Sequence, residues 1–204
     1  MTPPDRAVTL KEMSTSLRIE DYYISPDDYL AAERVSDTRH EYVAGKIYAM
    51  AGASVWHERI CANITGELRA QLRGKRCEAF GSNIRVRIEN PGMAEFYYYP
   101  DAMVECSGLP NGTHYAEEPV VIFEVLSPET ERIDLGEKLA HYRSLPSVRV
   151  YAVVNQHNPA VTIYRRRGET WEMEFLGRTD GTLELPEIGC RLPMAAIYDR
   201  MGFS

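Results

Sequence analysis

Seven consecutive residues, Val120-Val121-Ile122-Phe123-Glu124-Val125-Leu126, restrict this chain more than any other stretch. The run is short, β-branched and bounded by Pro119 and Ser127-Pro128, which is the pattern of a central strand covered on both faces. Glu124 breaks that pattern. An ionised carboxylate in a buried strand is costly unless a cation or hydrogen bonds compensate it. A compensating group must therefore pack against the middle of this strand, and an arginine in a structural bridge would serve as well as a functional partner.

The rest of the chain supplies a sheet and helices around it. Residues 1–20 are expected to be a flexible tail, and 21–204 a single domain, since 204 residues suit one core. Ser25-Pro26-Asp27-Asp28 is a helix start, with Ser as cap and Pro at the first helical position, and the helix is expected to end near Val35. His40 to Met50 reads as a hairpin or bulged strand pair around Gly45. From Ser54, the apolar residues Val55, Ile60, Ile64, Leu68 and Leu72 recur at helical spacing and stop at Gly74. Strands are expected at Cys77–Phe80, Ile84–Ile88, Tyr97–Val104, Val148–Asn155, Val161–Arg165 and Trp171–Phe175, and a helix at Ile133–Tyr142. The fold class is α/β: a mixed β-sheet core flanked by helices.

Charge narrows the partners. With 23 Lys and Arg against 30 Asp and Glu the formal charge is −7, which argues against a protein held on DNA by bulk charge. Residues 59–89 are the exception, with seven cations, Arg59, Arg69, Arg73, Lys75, Arg76, Arg85 and Arg87, against three acids. This piece is either a solvated face or a phosphate-contacting patch. Cys61, Cys77, Cys106 and Cys190 have no CxxC spacing, so they are read as small buried hydrophobes in a reducing, cytoplasmic setting. The first 18 residues lack the apolar run of a signal peptide, and no stretch suits a membrane span.

A second acid can meet the first. Asp101 follows Tyr97-Tyr98-Tyr99-Pro100, where the proline pins the entry of the next strand, and if that strand neighbours 120–126 two carboxylates converge at one end of the sheet. Hard oxygen ligands of this kind suit Mg²⁺ or Mn²⁺. The three tyrosines are expected to pack on one face and be exposed on the other, where a base could stack. Asp134 and Lys138, four apart, share a helical face and form either an exposed salt bridge or part of the same site.

These residues resemble the PD-(D/E)XK nuclease superfamily and, within it, the Uma-two family of restriction-type endonucleases. The matching stretches run from Glu41-Tyr-Val-Ala-Gly-Lys-Ile-Tyr-Ala-Met-Ala-Gly through His57, Tyr98-Tyr-Pro-Asp101 and Phe123-Glu-Val-Leu-Ser-Pro128 to Asp134, Lys138 and Tyr142. The resemblance covers roughly residues 20–195. The superfamily's usual lysine, two residues after the acid, is replaced here by Leu126, and Lys138 on the next helix is the candidate substitute.

The resemblance implies a restriction-endonuclease-like fold and hydrolysis of DNA phosphodiester bonds, leaving a 5′-phosphate and a 3′-hydroxyl. Asp101, Glu124 and the Val125 carbonyl would hold Mg²⁺ or Mn²⁺, with Lys138 as the catalytic amine. Glu41, His57 and Asp134 are possible accessory residues. Arg73, Lys75, Arg85 and Arg87 are the candidate DNA contacts, and a homodimer would offer two sites to opposite strands. Two other readings stand beside this one. A nuclease-like module without turnover would bind nucleic acid or a protein partner through the same cleft. A hydrolase would use the two acids as general acid and base.

Overall fold

A computed structural model describes residues 23–50, 52–89, 94–127 and 131–203. The expected tail over residues 1–20, and Pro128, lie outside the described residues. Chain contacts gather into two compact units, one built from residues up to Gly52 together with Glu89–Tyr98, the other from Ala53–Ile88 and Tyr99 onward.

The first unit begins with helix α1 (Pro26–Glu33), where Ser25 Oγ accepts the Asp28 N–H at 3.2 Å as the sequence pattern requires. Strands β1 (His40–Val43) and β2 (Lys46–Ala49) form the expected hairpin. Its turn residues Ala44 and Gly45 have φ of 50° and 92°, the double left-handed turn that matches strand twist. A further strand of this unit, Glu95–Tyr98, pairs with β1 through Tyr42↔Tyr97 and Val43↔Phe96. The core here is aromatic: Tyr29 stacks on Tyr42 at 5.1 Å, and Tyr97 meets both rings at 5.4 and 6.0 Å. Their hydroxyls are not stranded, since Tyr29 donates to the His40 carbonyl and Tyr42 to that of Ile24.

The second unit carries the main sheet. In chain order its elements are α2 (Val55–Leu72), β3 (Glu78–Gly81), β4 (Arg85–Glu89, whose last residue falls in the first unit) and, after β5 (Glu95–Tyr98) of the first unit, β6 (Ala102–Glu105), β7 (Tyr115–Ala116) and β8 (Pro119–Leu126). Then follow α3 (Glu131–Ile133), a π-helical turn (Asp134–Lys138), α4 (Leu139–Ser144), β9 (Val150–Asn155), β10 (Val161–Arg167), β11 (Thr170–Leu176), β12 (Thr182–Leu185), β13 (Cys190–Pro193) and α5 (Met194–Ile197). Six strands lie in the order β11-β10-β9-β8-β6-β3. All pair antiparallel except β8 and β9, which run parallel because the chain crosses over through α3, the π turn and α4. Strands β12 and β13 form a separate hairpin, and β4 pairs parallel with the two-residue β7.

Strand β8 is the buried central strand that its sequence predicts. Val121, Phe123 and Val125 enter a core with Ile60, Ile64 and Leu68 of α2, all 7% exposed or less. Full burial of a side chain such as Phe123 contributes about 1.5–3 kcal/mol. Because side chains alternate, Ile122 and Glu124 point to the opposite face, toward the crossover. The core therefore claims one face of β8 and leaves the acid on the other.

Three expectations need correction. The strand expected over Tyr97–Val104 is two strands, β5 and β6, broken at Tyr99-Pro100-Asp101, because Pro100 has no N–H for a ladder and the two parts belong to different units. No tyrosine of that stretch is exposed; Tyr97, Tyr98 and Tyr99 are 1%, 0% and 6% accessible, so a base-stacking platform is not formed. Cys77 and Cys106 are joined in a disulfide, directly continuing the Glu78↔Glu105 register of β3 and β6, while Cys61 and Cys190 are free and buried as expected. Among the described residues no helix is long and apolar enough to cross a membrane.

Candidate active site

The site grows from the antiparallel pairing of β6 and β8. Their register sets Ala102 opposite Phe123, so Asp101, one residue before Ala102, and Glu124, one residue after Phe123, stand at the same end of the sheet. Asp101 sits in the bend that Pro100 creates. Its Oδ2 accepts the Val125 N–H at 2.7 Å, which ties the bend to the strand bearing Glu124.

Glu124 is 3% exposed, and the crossover compensates its charge. Lys138 Nζ lies 3.3 Å from Oε1, and the Tyr142 hydroxyl donates to the same oxygen at 3.3 Å. Lys138 also reaches Asp134 Oδ1 at 3.4 Å, so one buried ammonium serves two acids. The Asp134–Lys138 pair is not on the surface: the two residues are 2% and 5% exposed. A π turn carries this stretch, and it brings Lys138 and, one α-helical turn on, Tyr142 to a common oxygen. Tyr151 of β9 closes the base by donating to the Asp134 carbonyl at 2.8 Å and packing on the Tyr142 ring at 5.4 Å.

His57 approaches from α2. Ser54 caps the helix by accepting the His57 N–H, which fixes the first turn beside the sheet end. The ring Nε2 stands 3.2 Å from Asp101 Oδ2, and Nδ1 stands 3.4 Å from the Cys61 Sγ one turn later. Burial draws the imidazole pKa down, but the hydrogen bond and charge of Asp101, with the Val125 carbonyl and Glu58, more than reverse this and leave it above its ordinary value. The Cys61 thiol is pushed well up, first by burial and then by the charges of Asp101, Glu58 and Glu124.

Asp101, Glu124, Val125, Lys138, Asp134 and His57 therefore gather at one end of the six-stranded sheet in the second unit. Glu41 lies in the first unit, on β1 opposite Tyr48. Cys61 is the residue that sequence reasoning passed over, although its position four after His57 put both on one helix face. As to a metal, the Asp101 carboxylate is bonded to the Val125 N–H and stands beside Glu124 at the sheet end, so the oxygen donors there are of the hard kind that fits Mg²⁺ or Mn²⁺.

The basic residues divide into two kinds. Arg85 is 4% exposed, its guanidinium 5.6 Å over the Tyr99 ring and its Nε donating to the His114 carbonyl. Arg87 bonds Glu117 at 2.9 Å. Arg73 and Lys75 are exposed and, with Arg69 and Arg76, line a cleft of about 360 Å³ at the C-terminal end of α2.

Comparison with known proteins agrees with this architecture. A family model described as "Uma2: Putative restriction endonuclease" matches residues 26–195. Uncharacterized protein slr1290 of Synechocystis is 30% identical over 181 residues, spanning 88% of this chain and 94% of that protein. Uncharacterized protein sll1609 of the same organism is 30% identical over 145 residues, 70% of this chain and 80% of that protein. A crystal structure described as a "putative nuclease belonging to DUF820" from Anabaena variabilis superposes with a TM-score of 0.71 at 19% identity, covering 87% of this chain and 99% of that one.

Proposed function

The chain belongs to the Uma2 restriction-endonuclease family, and on that premise we propose that it is a metal-dependent endonuclease hydrolysing DNA phosphodiester bonds. The observation that carries this reading is the convergence of two acids at one sheet end, Asp101 bonded to the Val125 N–H beside Glu124, with a buried ammonium 3.3 Å from the second acid. Asp101, Glu124 and the Val125 carbonyl would hold Mg²⁺ or Mn²⁺. When bound, such an ion supplies polarisation of a phosphate oxygen and a lowered pKa for water.

The chain's own groups set the rest. Lys138 offsets negative charge developing on the phosphoryl oxygens, an electrostatic role that a water-poor site strengthens. Asp134 and Tyr142 fix the Lys138 and Glu124 positions, so that little reorganisation is required during the reaction. The Asp101 hydrogen bond to Val125 keeps carboxylate and carbonyl oxygen in one place. Arg73 and Lys75 are the preferred phosphate contacts, because both are exposed, whereas Arg85 is buried and Arg87 is paired with Glu117. The protein would act in the cytoplasm, as a homodimer when cutting both strands of a duplex.

The test is cleavage of plasmid and single-stranded DNA in Mg²⁺ or Mn²⁺ by wild type, Asp101→Asn, Glu124→Gln and Lys138→Ala. Loss of cutting in all three variants is expected, and equal activity in all four proteins would remove the proposed site. One observation favours a second reading: the Glu124 oxygen nearest Lys138 is already satisfied by Lys138 and Tyr142, as a structural bridge would be. On that reading the protein retains DNA without cutting it, and retention unchanged by metal distinguishes the two.

A further inference from the structure

We propose that His57, Cys61 and Asp101 form a nitrogen, sulfur and oxygen site for a transition-metal dication of the zinc and cobalt class. This deepens the nuclease reading and rests on it only through Asp101, which both ligand sets use. One ligand atom from each residue lies within 4.8 Å of the other two. The ring meets its partners through different nitrogens: Nε2 stands 3.2 Å from Asp101 Oδ2, and Nδ1 stands 3.4 Å from Cys61 Sγ. Around a tetrahedral ion with bonds of about 2.0–2.3 Å, ligand atoms stand roughly 3.3–3.8 Å apart. With the three ligand atoms within 4.8 Å of one another, the group needs only a modest contraction to that size, and the imidazole is the ligand that must turn so that a single nitrogen binds the ion.

Three features of the surroundings favour such an ion. His57 and Cys61 sit one turn apart on the long helix α2, whose first turn Ser54 caps, and Asp101 is held by the Val125 N–H, so the ligands are on rigid supports. The thiol lies at the buried side while the His57 and Asp101 side chains remain 14% and 13% exposed, which closes the set below and leaves a fourth position open to water. Three protein ligands with an open position is the arrangement of reactive rather than purely structural zinc sites. A thioether or thiolate donor adds nothing for Mg²⁺, which prefers oxygen throughout, so sulfur selects the softer ion.

Ligation balances simply: the Cys61 S–H bond breaks, a sulfur–metal bond forms, and the proton leaves to water with no change of oxidation state. The local carboxylates and burial hold that proton in the free protein, and the ion's own charge is what releases it.

Co²⁺ is the probe, titrated into the full chain without DNA and followed by absorption. The wild type is expected to show visible d–d bands and a near-ultraviolet thiolate-to-cobalt band. Cys61→Ser should lose the near-ultraviolet band, Asp101→Asn and His57→Asn should weaken the visible ones, Cys190→Ser should match wild type, and Glu124→Gln should keep the near-ultraviolet band. Absence of the sulfur band in wild type, or its survival in Cys61→Ser, overturns the site. Because Glu124→Gln is expected to abolish DNA cutting yet keep the sulfur-to-cobalt band, failure here and failure of the nuclease reading give different results.

Discussion

Lys138 Nζ stands 3.3 Å from Glu124 Oε1, with the two side chains 6% and 3% exposed, so the acid in the central strand and the amine of the crossover form one buried ion pair. The Glu124 carboxylate is compensated from the helix layer rather than from within the sheet. Because Asp134 and Tyr142 join the same contact, the pair is a network of four groups.

Removing the ammonium from this network should be severe. Lys138→Met leaves two buried carboxylates facing each other, and breaking a buried pair in this way costs about 3–5 kcal/mol. Glu124→Gln should cost less, since Lys138 keeps Asp134. Urea unfolding of the two variants checks the order, and a Lys138→Met loss below 1 kcal/mol, roughly the value of an exposed pair, would show that the ammonium is solvated.

The contact between His57 and Asp101 predicts a pH dependence. The imidazole pKa is raised in the folded chain, so its pairing stabilises the fold fully below the unfolded histidine value, about 6.5, and that stability is lost as pH climbs through the higher folded value. In chelator, the Tm difference between wild type and His57→Asn should be largest in mildly acid buffer and shrink toward alkaline pH. A difference that grows with pH contradicts the pairing.

Reduction of Cys77–Cys106 should weaken the edge of the sheet. The bridge joins neighbouring strands already held by β3–β6 hydrogen bonds, so the effect belongs near the low end of the usual range of about 2–4 kcal/mol. Dithiothreitol should lower the Tm of wild type and leave the Cys77→Ser, Cys106→Ser double variant unmoved. Such bridges are rare in a reducing cytoplasm, so finding this one intact in protein purified with its thiols trapped would count against the cytoplasmic setting proposed above.

The cleft at the end of α2 gives a fourth test. Arg73→Glu with Lys75→Glu should weaken DNA retention at all sequences and lower the slope of log affinity on log salt by about one for each lost phosphate contact. Arg85→Leu should instead cost stability, because its guanidinium is buried over Tyr99, and should leave the salt slope alone.

Much of this arrangement was legible before any coordinates. Glu124 announced itself by being the only charge in an apolar run, and Ser25 and Ser54 marked their helix starts because capping is a local interaction. Asp101 was legible through Pro100, which pins whatever follows it. The rest was decided by contacts far apart in the chain. Nothing local distinguishes a strand of eight residues from two strands that leave a proline for different sheets, so the division of Tyr97–Val104 was hidden. The π turn at Asp134 was equally hidden, since it is set by what Lys138 must reach. Cys77 and Cys106 became partners only through the β3–β6 register, and His57 met Asp101 only because a capped helix begins beside that bend.

Helix α2 has a further consequence as a ruler. His57 stands in its first turn and Arg73 just past its last residue, and sixteen steps of 1.5 Å separate them by about 24 Å. A duplex touched at both places would be spanned over about seven base pairs, at 3.4 Å each. On the proposed nuclease reading, the distance from anchored phosphate to severed bond would be set by the length of one rigid rod, and lengthening that rod by a turn would move the cut along the strand by a step or two.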